Sequence, residues 1–305
     1  MAGSDSHGSR GQGQNRRRLE QAGTVKFKNL LGLIKIEHTL FALPLALTGA
    51  VLGARGTPDG RILVLVGIAF TAARAAAMAF NRLADRRLDA ANPRTARREI
   101  PAGRVSATAA ALVVAAATGV FLWASWAINP FCGRLAPLAL GVVLGYSYTK
   151  RFTVLCHYVL GVALGMAPVA GWAAVTGGIA WPPVVLGTGV VFWTAGFDTI
   201  YAIQDIAFDR DMDLRSLPAR IGPIPAMRLA AGSHLVAFLL FLLSGVLSSL
   251  GWPFYALLPV TGGLLVWEHR LIRPGDLSRL DTAFFTANSL VSGSLLVAVC
   301  AGIFV

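Results

Sequence analysis

Asn81-Arg-Leu-Ala-Asp85-Arg-Arg-Leu-Asp89-Ala-Ala-Asn92-Pro93-Arg94-Thr95-Ala-Arg97-Arg98 closes a long apolar run. If the run is helical, residues four apart share a face and each such step rises about 6 Å. Asn81, Asp85 and Asp89 then form one oxygen-rich ridge. Neighbouring carboxylates repel unless a cation lies between them, so the spacing asks for a metal ion or for arginine partners. Taken alone, the ridge could equally be the solvated end of a helix.

Further along, Tyr201-Ala-Ile-Gln-Asp205-Ile-Ala-Phe-Asp209-Arg-Asp211-Met-Asp213-Leu-Arg215-Ser216 closes another apolar run, and Asp205 and Asp209 repeat the spacing of Asp85 and Asp89. Two acidic ridges at the mouths of two membrane-length helices argue against mere solvation.

The rest of the chain supplies those helices. Of its 305 residues, 55% are apolar and 14% charged, against about 25% charged in soluble domains. Mean hydropathy is +0.63. Apolar runs cover roughly 38–54, 61–84, 106–127, 132–148, 154–175, 183–204, 226–248, 253–269 and 281–303. The expectation is an all-α membrane protein, a bundle of nine transmembrane helices embedded in a lipid bilayer. Residues 1–24 are Gly, Ser, Gln and Arg with little apolar content and should form a disordered basic tail. Residues 25–37 read as an amphipathic segment on the membrane surface, which makes 25–305 the membrane domain.

The formal charge of +12 does not call for nucleic acid, because the basic residues lie in loops between apolar runs. All of the 27 Lys and Arg except Arg55, Arg61, Arg134 and the intrahelical Arg74 fall on one side of a nine-span topology. The N-terminus and both acidic ridges should therefore face the cytoplasm, from an inner or plasma membrane. Three scattered cysteines form no CxxC, and five histidines never pair at metal spacing, so neither a disulfide framework nor zinc is expected.

Mg²⁺ prefers a few carboxylates together with water and phosphate oxygens. Four ridge carboxylates with Asn81 suit two such ions clamping a diphosphate. Arg94, Arg97, Arg98, Lys150, Arg151 and Arg215 lie around them, and guanidinium forks fit phosphate oxygens. Two charges lie deeper: Arg74, seven residues before Asn81, and Asp198, seven before Asp205. A charge at mid-bilayer costs roughly 2.5–3.5 kcal/mol if it meets lipid, so both should face a polar cavity below the ridges. They either pair with each other or bind substrate.

These residues also resemble a known family. Arg74…Asn81-x3-Asp85-x3-Asp89-x4-Arg94-Thr95-x2-Arg98-x4-Gly103 resembles the first signature of the UbiA superfamily of intramembrane prenyltransferases. Asp198-x2-Tyr201-Ala-x2-Asp205-x3-Asp209-x5-Arg215-Ser216 resembles the second, and Tyr146-x3-Lys150-Arg151 the loop between helices 4 and 5. The resemblance runs from about residue 28 to the end. It implies a Mg²⁺-held polyprenyl diphosphate whose chain passes to an acceptor.

By that resemblance, Asn81, Asp85, Asp89, Asp205 and Asp209 would bind Mg²⁺, the four aspartates being the catalytic set. Arg94, Arg98, Lys150 and Arg215 would contact the diphosphate, with Tyr146 and Tyr201 beside it. From their position at the cytoplasmic mouth of helix 1, and not from the resemblance, Lys35 and His38 could form part of the acceptor pocket, unless Lys35 simply snorkels and His38 simply caps; Arg74 and Asp198 would border the same pocket if they bind substrate. The prenyl tail would lie between helices near Phe192 and Trp193, unless these simply pack in the core. Two departures stand out: Glu99 follows Arg98 where relatives carry Pro, and Asp213 stands where many carry Gly.

The stretches Lys35-Ile-Glu-His-Thr-Leu-Phe-Ala-Leu-Pro44 and Asp213-Leu-Arg-Ser-Leu-Pro-Ala-Arg220 resemble members acting on 4-hydroxybenzoate. Within those they are similar to the menaquinone enzymes of the futalosine route, which take 1,4-dihydroxy-6-naphthoate. Either acceptor is an aromatic carboxylate; haem, chlorophyll and glycerol-phosphate acceptors are the alternatives within the superfamily. From another class, a transporter would place polar residues along a path through the bilayer, whereas here they crowd at one face.

Overall fold

The computed structural model describes residues 29, 32–33, 36–272 and 276–305. The basic tail, most of the amphipathic segment and Lys35 lie outside the described residues. His38 falls within a described helix, but its side chain does not.

Long helices follow one another in nearly the expected register: α1 (Ile36–Ala54), α2 (Gly60–Ala84), α4 (Ala107–Ile128), α5 (Pro130–Gly145), α6 (Cys156–Thr176), α7 (Trp181–Ala202), α10 (Pro223–Leu247), α11 (Trp252–Leu271) and α12 (Asn288–Phe304). Short helices α3 (Arg86–Ala91), α8 (Ile206–Asp211) and α9 (Leu217–Ile221) lie between them. Among the described residues, seven helical runs are long and apolar enough to cross a membrane. The other two long helices are α1, whose apolar stretch is Ala42–Ala54, and α11, which carries Glu268, His269 and Arg270 in its last turns. The protein is an all-α, multi-pass membrane protein.

Local chemistry sets the ends. Asp59 caps α2 by accepting from the backbone N–H groups of Arg61 and Ile62, and Ser106 caps α4 through Ala109 N–H. Asn129 caps α5 through Cys132 N–H, with Pro130 at the first helical position. Gly177, at φ +69°, closes α6 in the left-handed region that favours glycine.

In lipid the helices gain little from apolar contact alone, and close backbone approach holds them together. At Gly49 on α1 an added Cβ would collide with the Pro168 carbonyl of α6, and at Gly171 it would collide with Ala46. The large core side chains, Trp193 on α7, Phe241 on α10 and Phe254 on α11, are fully buried within one apolar cluster. The connections 85–106, 146–155 and 203–222 all emerge at one end of the bundle, hereafter the site end.

Candidate active site

Both acidic ridges sit where a long helix gives way to a short one at the site end. Helix α2 stops at Asp85 (φ −93°, ψ 6°), and α3 starts one residue later. The i to i−4 ladder nevertheless continues through the break: Asp85 N–H donates to Asn81 O at 2.9 Å and Asp89 N–H to Asp85 O at 2.7 Å. The ridge therefore survives the change of helix. On the other side, α7 tightens into a 3₁₀ turn over Ile203–Asp205 before α8, which carries Asp209.

The fold joins the two ridges through cations and amides. Arg94 grips Asp205 with two parallel bonds, Nε to Oδ1 at 2.9 Å and Nη2 to Oδ2 at 2.6 Å. Asn92 Nδ2 adds a bond to Asp205 Oδ1 at 3.1 Å. Burial alone would lower the Arg94 pKa, but the hydrogen-bonded Asp205 carboxylate outweighs it and holds the guanidinium above its ordinary value.

Asp85 is buried between Lys150, whose Nζ lies 2.8 Å from Oδ2, and Arg151, whose Nη2 lies 2.9 Å from Oδ1. Asn81 Nδ2 donates to Asp85 Oδ2 at 3.3 Å. Arg98 Nη1 donates to Asp89 Oδ1 at 2.7 Å, and Ser216 Oγ donates to Asp209 Oδ2 at 2.5 Å. Arg215 joins through its backbone: its N–H donates to Lys150 O at 2.7 Å, while its side chain bonds Phe152 O. Tyr201 lies under the Arg94 guanidinium, 5.7 Å from ring centre to carbon, and stacks on Phe284.

The donor set is hard oxygen throughout. Asp89 Oδ2 is buried with no hydrogen-bond partner, and such an orphaned carboxylate oxygen is costly unless a cation or donor meets it. Among the described residues no three His, Cys, Asp or Glu side chains converge on a point that could hold an ion. A magnesium ion needs only one or two carboxylates when water and substrate phosphate complete its shell, so these residues fit it.

Below the ring, α2, α4, α5, α6 and α7 enclose a cavity of ≈ 590 Å³. Its walls are mainly Ala, Val, Leu and Phe, and Arg74 and Tyr146 also line it. The polar cavity expected beneath the ridges is therefore an apolar one carrying a single guanidinium. Asp198 turns to a different partner, with Oδ2 lying 2.6 Å from His157 Nδ1. Trp193 is core: it is fully buried, its Nε1–H donates to Asn288 at 2.9 Å, and it does not line the cavity. Phe192 packs edge-on against Tyr158.

Two of these partners, Asn92 and His157, have no signature of their own in the sequence, where Asn92 reads as a loop residue and His157 as a structural histidine. Arg151 and Ser216 stand within the sequence signatures, but their carboxylate partners do not follow from them. Only the folded loops bring them onto Asp85, Asp205, Asp198 and Asp209.

The architecture defines a class: an intramembrane helical bundle with a charged oxygen-and-guanidinium ring over an apolar chamber. The UbiA prenyltransferase family model matches residues 42–290, and the chain belongs to this family; it is a prenyltransferase. Among similar proteins, the 4-hydroxybenzoate octaprenyltransferase of Vibrio atlanticus (strain LGP32) is 30% identical over 252 residues, covering 82% of this chain and 88% of the relative. That of Nitrosomonas europaea is 30% identical over 264 residues, covering 86% and 89%. A UbiA homolog from Aeropyrum pernix K1 superposes with a TM-score of 0.76 at 32% identity, covering 88% of this chain and 98% of that one. A homolog from Archaeoglobus fulgidus bound to GPP and Mg²⁺ has the same fold, with a TM-score of 0.66 at 21% identity. Family membership displaces the transporter reading.

Proposed function

We propose that the protein transfers a polyprenyl chain from its diphosphate to an aromatic carboxylate in quinone synthesis. The observation that carries this reading is the ring itself: four aspartates from two distant segments, each held by a cation or hydroxyl, above an apolar chamber. Relatives named as 4-hydroxybenzoate octaprenyltransferases support an aromatic carboxylate as acceptor. The Archaeoglobus homolog's GPP and Mg²⁺ support a metal-held prenyl diphosphate. The finer choice of 1,4-dihydroxy-6-naphthoate, in menaquinone synthesis, rests on the stretches at Lys35–Pro44 and Asp213–Arg220.

In this reading Asn81, Asp85, Asp89, Asp205 and Asp209 would hold Mg²⁺, which when bound would supply positive charge against that developing on the leaving diphosphate. Arg94, Arg98, Lys150 and Arg215 orient the phosphate oxygens and share that charge. The allylic carbon–oxygen bond breaks, an electron-rich ring carbon of the acceptor forms the new carbon–carbon bond, and the ring carbon loses its proton. Tyr146 and Tyr201 present ring faces beside the electron-poor carbon. The apolar chamber takes the prenyl chain and excludes the water that would quench that carbon. Arg74 and Asp198, with Lys35 and His38, border the acceptor. The bias of Lys and Arg toward the site-end loops supports a site on the cytoplasmic face of an inner or plasma membrane. Residues 25–305 constitute the prenyltransferase domain, and 1–24 stand outside it as a basic tail.

The test is an assay of purified protein with prenyl diphosphates of graded length against 4-hydroxybenzoate and 1,4-dihydroxy-6-naphthoate. EDTA should stop turnover and Mg²⁺ restore it. Turnover of neither acceptor would refute the aromatic-carboxylate reading, and turnover of 4-hydroxybenzoate alone would refute the menaquinone assignment.

A further inference from the structure

Beside the ring, and outside it, the site end carries an open pocket of ≈ 620 Å³. Three arginines line it: Arg86 and Arg87 from α3, and Arg151 from the turn after α5. The sole acid among its lining residues is Asp213. None of the four ring aspartates lines it.

The cations differ in what they already hold. Arg86 Nη1 donates to Leu83 O at 2.9 Å. Arg87 is exposed and makes no hydrogen bond or ion pair with the described residues. Arg151 lies 4.8 Å over the Tyr148 ring and reaches inward to Asp85 Oδ1 and Ala84 O through one nitrogen, Nη2. The pocket is thus a three-guanidinium cluster with unspent donors, and such forks match phosphate oxygens.

Its surroundings say which phosphate. The pocket sits where α2 and the run Pro130–Arg151 reach the end of their membrane-length stretches, the level of lipid headgroups. Large apolar side chains stand open around it: Tyr148 and Met212, which line it, are 40% and 42% exposed, and the neighbouring Phe152 is 59% exposed. Guanidinium donors beside exposed apolar side chains match a charged headgroup that continues into acyl chain.

We propose that the Arg86–Arg87–Arg151 pocket binds the phosphate headgroup of an anionic membrane lipid, and that its occupancy draws Arg151 off Asp85. The second half rests on Asp85 being a metal-holding residue, as in the function proposed above. With Arg151 turned outward, Asp85 keeps Lys150 on Oδ2 and frees Oδ1. Anionic lipid should then lower the Mg²⁺ concentration needed for turnover.

The experiment places wild type, Arg87→Gln, Arg86→Gln/Arg87→Gln and Arg87→Lys in nanodiscs of phosphatidylcholine, alone or with phosphatidylglycerol. Native mass spectrometry reads lipid retained after release into detergent, independently of activity. Each lost arginine should weaken phosphatidylglycerol retention roughly fivefold, while Arg87→Lys keeps most of it. In wild type, phosphatidylglycerol should lower the half-maximal Mg²⁺ concentration several-fold. The double variant should lose that response and keep wild-type turnover in phosphatidylcholine. Equal retention by wild type and the double variant would overturn the lipid site. Retention without any Mg²⁺ shift would overturn the link through Arg151. Inorganic phosphate reproducing the shift in pure phosphatidylcholine would assign the pocket to free anions instead. A protein inactive in every lipid defeats the catalytic reading, while the retention measurement still decides the site.

Discussion

Replacing Arg94 separates the chemistry of the ring from its architecture. Its Nε and Nη2 are both engaged by Asp205, which leaves Nη1 for a phosphate oxygen. A charge-assisted hydrogen bond contributes about 1.5–3 kcal/mol. The Arg94 side chain is 34% exposed, so solvent screening favours the lower half, about 1.5–2 kcal/mol. At about 1.4 kcal/mol per tenfold, Arg94→Ala should raise the KM for prenyl diphosphate roughly 10- to 30-fold. Asn92 still holds Asp205 in this variant, so the ridge should keep its place and the acceptor KM should move less than about twofold. Arg94→Lys keeps the charge but cannot hold both Asp205 oxygens and reach phosphate at once, so it should fall between the two, about 3- to 10-fold. Steady-state kinetics in nanodiscs, varying each substrate at saturating levels of the other, measure both constants. A larger rise in the acceptor KM than in the prenyl diphosphate KM, or a lysine variant as good as wild type, would show that Arg94 does not bind phosphate.

The other perturbations address the metal and the chamber. Asp85→Asn and Asp205→Asn each remove a unit charge, worth about 4 kcal/mol at 4 Å and an effective dielectric near 20. Turnover should drop at least ~10³-fold, while the thermal unfolding midpoint moves only a few degrees because the amide still accepts from Arg151 or Arg94; near-normal turnover would defeat the metal assignment. Ala73→Trp and Ala139→Trp put bulk into the ≈ 590 Å³ cavity and should cut kcat/KM for long prenyl diphosphates about tenfold or more while sparing geranyl diphosphate. Equal losses for short and long chains would place the chain elsewhere.

The membrane class, the positions of the helices and the identity of the acidic rows were legible in the sequence because each is a local or periodic property. Twenty-odd apolar residues must satisfy their backbone internally, so their helical state follows from composition. The i, i+4 spacing of Asn81, Asp85 and Asp89 needs only a helix to become a ridge, and it survives even the break at Asp85 because the hydrogen-bond ladder continues. Pairing is a different kind of information. Arg94 and Asp205 are separated by 111 residues, and nothing local specifies that one guanidinium will close on that carboxylate.

The deeper charges show the same limit. Arg74 and Asp198 can be recognised in sequence as too costly to face lipid, but whether they meet one another or other partners depends on how α2, α6 and α7 turn about their axes. The packing sends Asp198 to His157 and leaves Arg74 on the wall of an apolar chamber. Helix rotation is set by where small residues let backbones approach, as at Gly49 and Gly171, and by hydrogen bonds made across several helices at once. Periodicity along one chain therefore determined which helices carry the chemistry, and only three-dimensional packing decided which charges share a site, since Coulomb and hydrogen-bond energies depend on distance in space and not on separation in sequence.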